Sequence, residues 1–488
     1  MLLQSFPFFV AVQVNAYDDR GVLLGKWSKN LSDYSDGVLP TRWNGSVSIL
    51  KRWSEGGTRP VRYGQCWVFA AVACTVLRCL GIPTRCITNF SSAHDNNGDL
   101  IIETEVDEND EEISRADIWN YHCWVESWMA RKDLPDGYDG WQVLDSTPQE
   151  MSDGVFCCGP CPVRAIREGE VGMKYDAPFI FAEVNADITK WMVHKDKTRT
   201  KIYVDNWSVG RNISTKSVYG DKREDVTALY KYPEGSAKER EVFEKAGRRV
   251  SHQPDDNETQ RPQLKLSIKN EEAVHGTDFD IIVEVQNVGN KEAGADLTIK
   301  SVAITYNSLH RGVCQSKTAR LTVPAQKVHK EVLRLRYDHY GACVSEHHMI
   351  RVTASLKMND QSDVIQTMAN IQLKMPKLNI KVTGEAAVGQ KVTAYITLKN
   401  PLPVTLKNGV FTVEGAGLTT ATEIPVLAIS LLSHSNAIQP GEEVTVKHSF
   451  KPMRYGMRKL LVDFDSDKLM DVKGETILMV RRKRYNWP

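Results

Sequence analysis

The sequence lacks any run of about 18 or more apolar residues, the length that a membrane-spanning helix needs. It also lacks an excess of either charge, because 62 Lys and Arg face 61 Asp and Glu and the formal net charge is +1. Such a chain has no global field that would attract nucleic acid or an anionic membrane. Neither a glycine-rich phosphate loop nor an EF-hand spacing occurs. We therefore predict no membrane span and no nucleic-acid partner.

A disulfide framework is also missing, although the chain has ten cysteines. Eight of them lie between Cys66 and Cys161, and such clustering in a chain of 488 residues is typical of a cytosolic protein. We predict a cytoplasmic location, with extracellular release left open. The run Cys157-Cys158-x-x-Cys161 resembles half of a zinc site, but no second Cys or His pair follows at finger spacing. We predict no zinc, and whether the vicinal pair forms a redox disulfide stays open.

Composition divides the chain into parts of different character. Residues 1–240 mix helix and strand signals, and the stretch 235–262 is charged and polar. Its first part looks helical and its second part looks like a flexible linker, and we place the linker at 241–262. Beyond the linker, Val, Ile and Thr alternate with polar residues in short runs, which is typical of β-strands. The length allows about three domains. We predict a mixed core, the linker, and two all-β domains at 263–374 and 375–488.

An internal repeat supports the two β domains. Gly276 and Asn287 recur as Gly389 and Asn400, and the offset is 113 residues in both cases. Two copies of a module of about 110 residues fit a β-sandwich or a β-barrel. The copies carry no chemical motif, so we expect a structural or regulatory role for them.

The run Tyr63-Gly64-Gln65-Cys66-Trp67 places one cysteine at the start of an apolar stretch that predicts a helix over 67–80. A helix N-terminus carries unpaired N–H groups and a partial positive charge, so a thiol placed there is expected to ionise more easily. The thiolate is the nucleophilic form of cysteine. The alternative is a buried structural cysteine, which is the commoner role of a single Cys.

A cysteine nucleophile needs a base and a group that orients the base, and two strand-like stretches offer both. His122 lies in the aromatic stretch 118–125, and Asp145 ends the stretch Gly140–Asp145. A turn between the two stretches would make them neighbours, and Asp145 would then hold the imidazole in the required tautomer. Taken singly, the two residues are better explained as a core histidine and a turn cap. Together with Cys66, they favour a catalytic triad.

Seven longer motifs, in chain order, resemble those of the animal transglutaminases. They are Tyr63-Gly64-Gln65-Cys66-Trp67-Val68-Phe69-Ala70, Ser92-Ala93-His94-Asp95, Trp119-Asn120-Tyr121-His122-Cys123-Trp124, Gly140-Trp141-Gln142, Asp145-Ser146-Thr147-Pro148-Gln149-Glu150, Phe181-Ala182-Glu183-Val184-Asn185-Ala186-Asp187 and Tyr232-Pro233-Glu234-Gly235-Ser236. The resemblance covers nearly the whole chain, but it does not separate the tissue, epidermal and coagulation-factor branches. It implies an α+β papain-like catalytic core at residues 1–240, incomplete at its N-terminus, followed by two all-β sandwich or barrel domains.

The resemblance implies a protein-glutamine gamma-glutamyltransferase. Cys66, assisted by His122 and Asp145, would form a thioester with a protein glutamine, and a lysine amine or a polyamine would then take the acyl group. Trp27 matches the tryptophan that donates its indole N–H to the oxyanion, and Trp119 matches a wall of the lysine tunnel. The implied partners are glutamine-donor and lysine-donor proteins and polyamines. The alternative is a non-catalytic scaffold of the same fold, inactive through truncation, but the presence of all three triad residues favours the enzyme.

Calcium is the cofactor that the resemblance implies, held by oxygen ligands in three loops. The first site matches Asn185, Asp187, Glu234, Glu239 and the main-chain carbonyl near Asn206, the second matches Asn15, the Tyr17 carbonyl and Asp19, and the third matches Asp95, Asn97 and Asp99. In the third site an acidic family position falls on Ala116, with Asp117 beside it. We expect the first site to follow the family most closely and the third site least.

Two regulatory features of the family have counterparts here. Tyr306 matches the tyrosine that covers the cysteine in the closed form, and the alternative is a core tyrosine of a strand. Arg334 and Tyr337 match part of the GTP site of some relatives, but Ser267 and Lys269 stand at the two positions that are basic in those relatives. The core side of such a site would precede residue 1, so the sequence does not predict nucleotide inhibition.

Overall fold

The computed structural model describes residues 13–17, 21–108, 112–114, 117–152, 154–220, 222–249, 263–358, 364–426 and 437–482. The first part of the chain forms an α+β core. Its strands are β1 (Leu23–Gly25), β2 (Val61–Gly64), β3 (Thr84–Ala93), β4 (Ile101–Val106), β5 (Glu112–Ser114), β6 (Ile118–Met129), β7 (Gly140–Asp145), β8 (Met151–Ser152), β9 (Val155–Phe156), β10 (Cys158–Pro162), β11 (Asp187–Val193), β12 (Arg199–Asp205), β13 (Arg211–Lys216) and β14 (Arg223–Asp225). Its α-helices are α1 (Ser46–Glu55), α2 (Cys66–Cys79), α3 (Val163–Arg167), α4 (Ala177–Asn185), α5 (Thr227–Tyr230) and α6 (Ala237–Arg249).

A six-stranded antiparallel sheet organises the core, in the order β10-β7-β6-β3-β13-β14. Successive side chains of a strand point to opposite faces, and here the two faces carry different helices. Cys123 and Leu144 pack in one cluster with the apolar side chains of α2. Trp124 and Val143 pack in another cluster with Phe181 and other residues of α4. The sheet is therefore buried on both faces, and the chemically active ends of β6 and β7 lie between two apolar layers.

Two β domains follow the core, and each is built around two packed sheets. The first contains β15 (Leu264–Asn270), β16 (Phe279–Asn287), β17 (Ala293–Ile304), β18 (His310–Val323), β19 (Val328–Leu335), α7 (Tyr337–Tyr340), β20 (Met349–Met358) and β21 (Val364–Gln372). The second contains β22 (Asn379–Thr383), β23 (Val392–Lys399), β24 (Leu406–Lys407), β25 (Val410–Gly415), β26 (Thr419–Pro425), β27 (Ala437–Ile438), β28 (Glu443–Phe450), β29 (Gly456–Asp465) and β30 (Val472–Val480). In both domains a three-stranded sheet faces a four-stranded sheet, in the orders β15-β16-β19 with β18-β17-β20-β21, and β22-β23-β28 with β26-β25-β29-β30. The second domain adds the short pair β24-β27.

The repeat seen in the sequence corresponds to repeated hydrogen bonds. Asn287 ends β16, and its Nδ2 donates to the carbonyl of residue 291, four positions later, at 2.7 Å. Asn400 follows β23, and its Nδ2 donates to the carbonyl of residue 404, again four positions later, at 2.9 Å. In both loops the Oδ1 accepts the N–H of the residue two positions on, at 2.9 Å. The repeat therefore preserves a buried asparagine that organises the loop after the second strand of each domain.

Helix α6 corrects the sequence-based boundary between core and linker. The prediction of a linker from residue 241 is wrong over 241–249, because α6 continues to Arg249 and buries Val242, Phe243 and Ala246 in the core. Apolar residues at this helical spacing pack on one side of the helix, whereas Glu241 and Glu244 are exposed. Residues 250–262 lie outside the described part of the chain. Among the described residues, every helix is too short or too polar to cross a bilayer.

Candidate active site

Cys66 is the first residue of α2, one position earlier than the sequence predicts. The preceding strand β2 is fixed by parallel pairing with β1, and the Gln65 side-chain amide donates to the carbonyl of Lys26 at 3.0 Å. The turn between β2 and α2 therefore sets the position of Cys66. Its side chain is completely buried, and its thiol lies within hydrogen-bond reach of the Cys123 thiol and the Tyr306 hydroxyl.

The protonation state of Cys66 differs from the expectation based on the helix N-terminus. Burial raises the pKa of its thiol well above the ordinary value, and the neighbouring Cys123 raises it further. The expectation of easier ionisation is wrong for this conformation, because a fully covered site disfavours a thiolate more than the helix terminus favours it. In this state Cys66 is a neutral thiol.

His122 and Asp145 lie on neighbouring antiparallel strands, β6 and β7, as the two stretches predict. The imidazole Nε2 is 2.7 Å from Asp145 Oδ2, and both side chains are buried. The other carboxylate oxygen, Oδ1, accepts the N–H of Thr147 at 2.8 Å. The carboxylate is thus fixed from two directions, and the imidazole nitrogen that remains, Nδ1, has no partner among the described residues.

The electrostatics of this pair favour a charged imidazole. Burial lowers the pKa of His122, but the charge and the hydrogen bond of Asp145 outweigh it, and Glu183 adds to them, so the pKa rises to about 9. A Glu183 oxygen is 3.7 Å from His122 Nε2, and burial raises the pKa of that carboxyl to about 7. At neutral pH the covered site therefore holds Cys66 as a neutral thiol and His122 as an imidazolium, which has no lone pair to take a proton.

His122 is expected to make the unfolding free energy depend on pH. Its pKa is about 6.5 in the unfolded chain and about 9 in the folded chain, so its stabilising contribution is complete below pH 6.5 and is lost as pH rises to 9. The contribution amounts to about 3 kcal/mol at low pH. Denaturant unfolding of the wild type and of His122→Gln at pH 6 and pH 9.5 measures it. The advantage of the wild type should shrink by that amount, and a pH-independent difference contradicts the assignment.

The Tyr306 side chain lies against Cys66. It lies in the loop between β17 and β18 of the first β domain, and its hydroxyl accepts the Trp27 indole N–H at 2.6 Å. Its ring packs against Trp67 and Trp119, with centroids 5.1 and 5.7 Å away. Asn120 holds the loop, because its N–H donates to the Tyr306 carbonyl at 2.7 Å. The tyrosine oxygen therefore occupies the place where an acceptor for the Trp27 N–H would sit during a reaction.

The two tryptophans that the sequence singles out lie around this cover. Trp119 meets the His122 ring edge-to-face with centroids 5.1 Å apart, and Trp27 stacks on Phe69 of α2 at 6.4 Å. Both contact Tyr306. The structure thus brings Cys66, Trp27 and Trp119 together around one aromatic side chain.

Four of the five residues expected in the first calcium site are held by side-chain cations. The Arg240 guanidinium donates to Asp187 at 3.0 Å, to Glu239 at 2.7 Å and to the carbonyl of Asn206 at 3.4 Å. Glu234 forms an ion pair with Lys231. The structure therefore directs Asp187, Glu239 and Asn206 oxygens to a common point.

Asn185, the fifth expected ligand, and the carboxylate of Asp187 bear on whether calcium fits this site. Asn185 is only 7% exposed, and its Nδ2 has no hydrogen-bond partner among the described residues. Burial raises the pKa of Asp187 to about 6 in spite of Arg240, so this carboxylate is poorly hydrated. Two carboxylates and a main-chain carbonyl face one cation here, and calcium prefers such oxygen ligands. The residues of the first site fit the ion.

The second and third expected sites are less complete. In the second, Asn15 is buried and its Oδ1 accepts the N–H of Tyr17 at 3.0 Å, while Asp19 lies outside the described residues. In the third, Asp95 accepts the N–H groups of Asn97, Gly98 and Leu100 at 3.2, 2.8 and 2.9 Å. Asp99 similarly accepts from Ile101 at 2.9 Å. The third loop is thus organised by its own carboxylates.

Arg334 and Tyr337, the partial nucleotide match, are engaged with nearby acidic residues. Arg334 pairs with Asp280 at 3.1 Å, and the N–H of Tyr337 donates to Asp278 at 2.9 Å. Because a carboxylate neutralises Arg334, this position does not present a free cation to a phosphate.

Sequence reasoning assigned no role to Glu183 or Gln149, although both contact the catalytic pair. Glu183 is the only charged residue of the apolar helix α4, and that isolation was the available signal. The Gln149 amide donates to Asp145 Oδ2 at 2.9 Å and to Glu183 at 3.3 Å. Its Oε1 is 3.2 Å from His94 Nδ1, so one glutamine links a second histidine to the pair. No spacing in the sequence could have revealed this bridge.

Comparisons with known proteins agree with this geometry. The model described as "Transglutaminase-like superfamily" matches residues 32–146, and "Transglutaminase family, C-terminal ig like domain" matches residues 376–482. The chain is 60% identical over 478 residues to protein-glutamine gamma-glutamyltransferase 2 of Pagrus major, covering 97% of this chain and 67% of that protein. It is 45% identical over 469 residues to the Gallus gallus protein of the same name, covering 95% and 66%.

The fold itself also has a solved counterpart. The crystal structure of red sea bream transglutaminase matches with a TM-score of 0.88 and 57% identity, covering 99% of this chain and 69% of that chain. This match confirms the predicted fold class of an α+β core followed by two all-β domains. The chain spans about two thirds of the length of these relatives.

Proposed function

Since the chain belongs to the transglutaminase family, we propose that it is a calcium-dependent protein-glutamine gamma-glutamyltransferase whose nucleophile is Cys66. The observation that carries this assignment is the hydrogen-bonded pair of His122 and Asp145, whose carboxylate is close enough to the buried Cys66 thiol to raise its pKa. The scaffold alternative gains no support, because the cysteine, the histidine and the aspartate are all present. The substrates are proteins with accessible glutamine and lysine side chains, and small polyamines replace the lysine.

The acylation step transfers one proton and releases ammonia. Once His122 has lost its extra proton, the Cys66 sulfur attacks the glutamine carboxamide carbon while the free Nδ1 of His122 takes the thiol proton. His122 returns that proton to the departing nitrogen, which leaves as ammonia, and a thioester remains on Cys66. Asp145 keeps the other ring proton on Nε2 throughout, so that Nδ1 is the nitrogen that exchanges protons.

The oxyanion of this step needs donors, because a carboxamide is a weak electrophile. The Trp27 indole N–H and the Cys66 main-chain N–H are the two that we assign. In the covered state the Trp27 N–H is already occupied by Tyr306, so the loop between β17 and β18 must move before substrate binds. The Trp27 N–H therefore cannot donate to Tyr306 and to the oxyanion at the same time.

Deacylation reverses the proton path. A primary amine attacks the thioester carbon, His122 takes a proton from the amine, and the sulfur leaves and receives that proton. The aromatic wall around Trp119 favours a neutral, desolvated amine and limits water, whose attack would give deamidation.

When bound at Asn185, Asp187, Asn206, Glu234 and Glu239, calcium supplies the positive charge that gathers these oxygens at the end of α4 and the start of α6. We further propose a cytoplasmic location and no nucleotide regulation.

Calcium removal tests the proposal. The purified chain is expected to incorporate a fluorescent primary amine into a glutamine-containing protein at millimolar calcium, and to lose at least about nine tenths of that rate with a chelator or with magnesium instead. Incorporation is measured by fluorescence of the protein band, and circular dichroism establishes that the chain is folded in each condition. A folded chain that incorporates no amine, or incorporates it equally with the chelator, contradicts the proposal.

A further inference from the structure

The Arg240 side chain lies where the oxygens of the first calcium site converge. Its guanidinium contacts both carboxylate oxygens of Asp187 at 3.0 and 3.3 Å, and it bonds Glu239 through two of its nitrogens. It also donates to the main-chain carbonyl of Asn206 at 3.4 Å. Three expected calcium ligands, from α6, β11 and the loop after β12, therefore share one side-chain cation.

A second side-chain cation pairs with the remaining carboxylate. Lys231 is 5% exposed, forms an ion pair with Glu234, and donates to the carbonyls of Val184 and Val209 at 2.7 and 2.9 Å. Of the five expected ligands, only Asn185 lacks a cation, and it is the buried amide whose Nδ2 has no partner among the described residues. The acidic groups of the site are thus neutralised from within the protein.

We infer that Arg240 is a tethered competitor of calcium: it occupies the first site in this conformation and must leave Asp187 and Glu239 before the ion can bind. This inference deepens the proposed calcium site and rests on it. A guanidinium and a divalent ion that share the same carboxylates would stand within a few ångströms of each other and repel. The measured affinity is then the intrinsic affinity reduced by the fraction of molecules in which Arg240 has moved away.

The surroundings of Arg240 allow this exchange. The guanidinium lies over the Phe243 ring at 4.6 Å, one turn along the same helix, and the side chain is 29% exposed. It can therefore reach solvent without crossing the core. Lys231 differs, because it is almost fully buried and anchored to two carbonyls, so we assign the exchange to Arg240 alone.

Direct calcium binding to Arg240→Gln tests the inference. Calorimetric titration with calcium alone is expected to give a dissociation constant about ten- to hundredfold lower than that of the wild type, because no cation has to be displaced. Arg240→Lys keeps a charge but loses the fork that bridges two carboxylates, so it should fall between the two. Adding Glu239→Gln to Arg240→Gln should abolish the tightened event, which assigns it to this site.

Arg199→Gln is the matched control. Arg199 also pairs with two carboxylates, Glu103 at 3.3 Å and Glu105 at 3.2 Å, and is 39% exposed, but it lies at the start of β12, away from the site. Arg199→Gln removes the same charge as Arg240→Gln, but we expect its calcium affinity to equal that of the wild type. An equal gain in this control would mean that net charge, and not occupancy of the site, sets the affinity, and it would overturn the inference.

Thermal unfolding separates competition from a purely structural role. Without calcium, Arg240→Gln should unfold at a lower temperature than the wild type, since two carboxylates lose their partner, and calcium should raise its melting temperature more than that of the wild type. Unchanged or weaker calcium binding by both Arg240 variants overturns the inference. If Arg240→Gln does not fold, Arg240→Lys alone decides by the same criterion. If the Arg240 variants bind calcium more tightly but the folded chain incorporates no amine, the proposed enzyme function is contradicted and this inference is supported.

Discussion

Replacement of Cys66 by Ala is expected to lower amine incorporation by about 10⁵-fold or more, to the floor of the assay. We assign the thioester to Cys66 alone, and His122 and Asp145 serve only to move and fix protons. The Cys66 side chain is small and lies at the first position of α2, so its truncation removes one buried sulfur atom and leaves the helix in place. The loss of unfolding free energy should be only about 1 kcal/mol.

A cysteine at the other end of the same helix provides the control. Cys79 is the last residue of α2 and is exposed, so Cys79→Ala should keep the wild-type rate within about twofold. Both variants are assayed at millimolar calcium with a fluorescent amine, and near-ultraviolet circular dichroism compares their tertiary structure. Measurable turnover by folded Cys66→Ala would mean that another residue carries the acyl group.

Replacement of Asp145 by Asn is expected to lower the turnover number by about 10³- to 10⁴-fold. Asp145 Oδ1 accepts the Thr147 N–H, and Oδ2 faces His122 Nε2 and the Gln149 amide, so an asparagine has one oxygen for three donors. If the amide keeps its oxygen on Thr147, its NH₂ group faces His122, and Nε2 must then be the unprotonated nitrogen. The proton moves to Nδ1, which can no longer accept the proton of Cys66. Loss of the negative charge also lowers the pKa of His122.

Asp136→Asn is the matched control for Asp145→Asn. Asp136 lies in the turn that joins the same two strands and is exposed, so its replacement removes an equal charge without touching His122. We expect it to retain the wild-type turnover within about twofold. A pH profile of the turnover number should also differ for Asp145→Asn. A turnover number within tenfold of the wild type would contradict the role assigned to Asp145.

Local sequence signals predicted the elements that carry the triad. The second strand has the predicted bounds Gly140–Asp145, and the helix start differs by one residue, because a glycine-containing turn and a switch in apolar periodicity mark both places. Pairing of the two strands followed from their short connection. The resemblance to a family then indicated Trp27, Trp119 and Tyr306. Trp27 and Tyr306 are about 280 residues apart in the sequence, so spacing alone could not have shown that they are in contact.

Tertiary burial accounts for what the sequence did not predict. The helix N-terminus favours a thiolate at Cys66, but Tyr306 arrives from another domain and excludes water, and desolvation then dominates. Arg240 is similar: its position next to Glu239 is visible in the sequence, whereas its contact with Asp187 depends on the packing of α6 against β11. The charged residues at 241–249 suggested a linker, because this part of α6 contributes only three apolar residues to the core, Val242, Phe243 and Ala246.

The thioester on Cys66 is the central claim, and mass spectrometry of the acyl-enzyme tests it most directly. The folded chain is incubated with calcium and a glutamine peptide in the absence of any amine, quenched in acid, and digested. We expect a single adduct, equal to the peptide less one ammonia, on the fragment that contains Cys66, and its loss when an amine is added before the quench. An adduct on any other residue, or incorporation of amine by a chain in which Cys66 stays unmodified throughout, would contradict it.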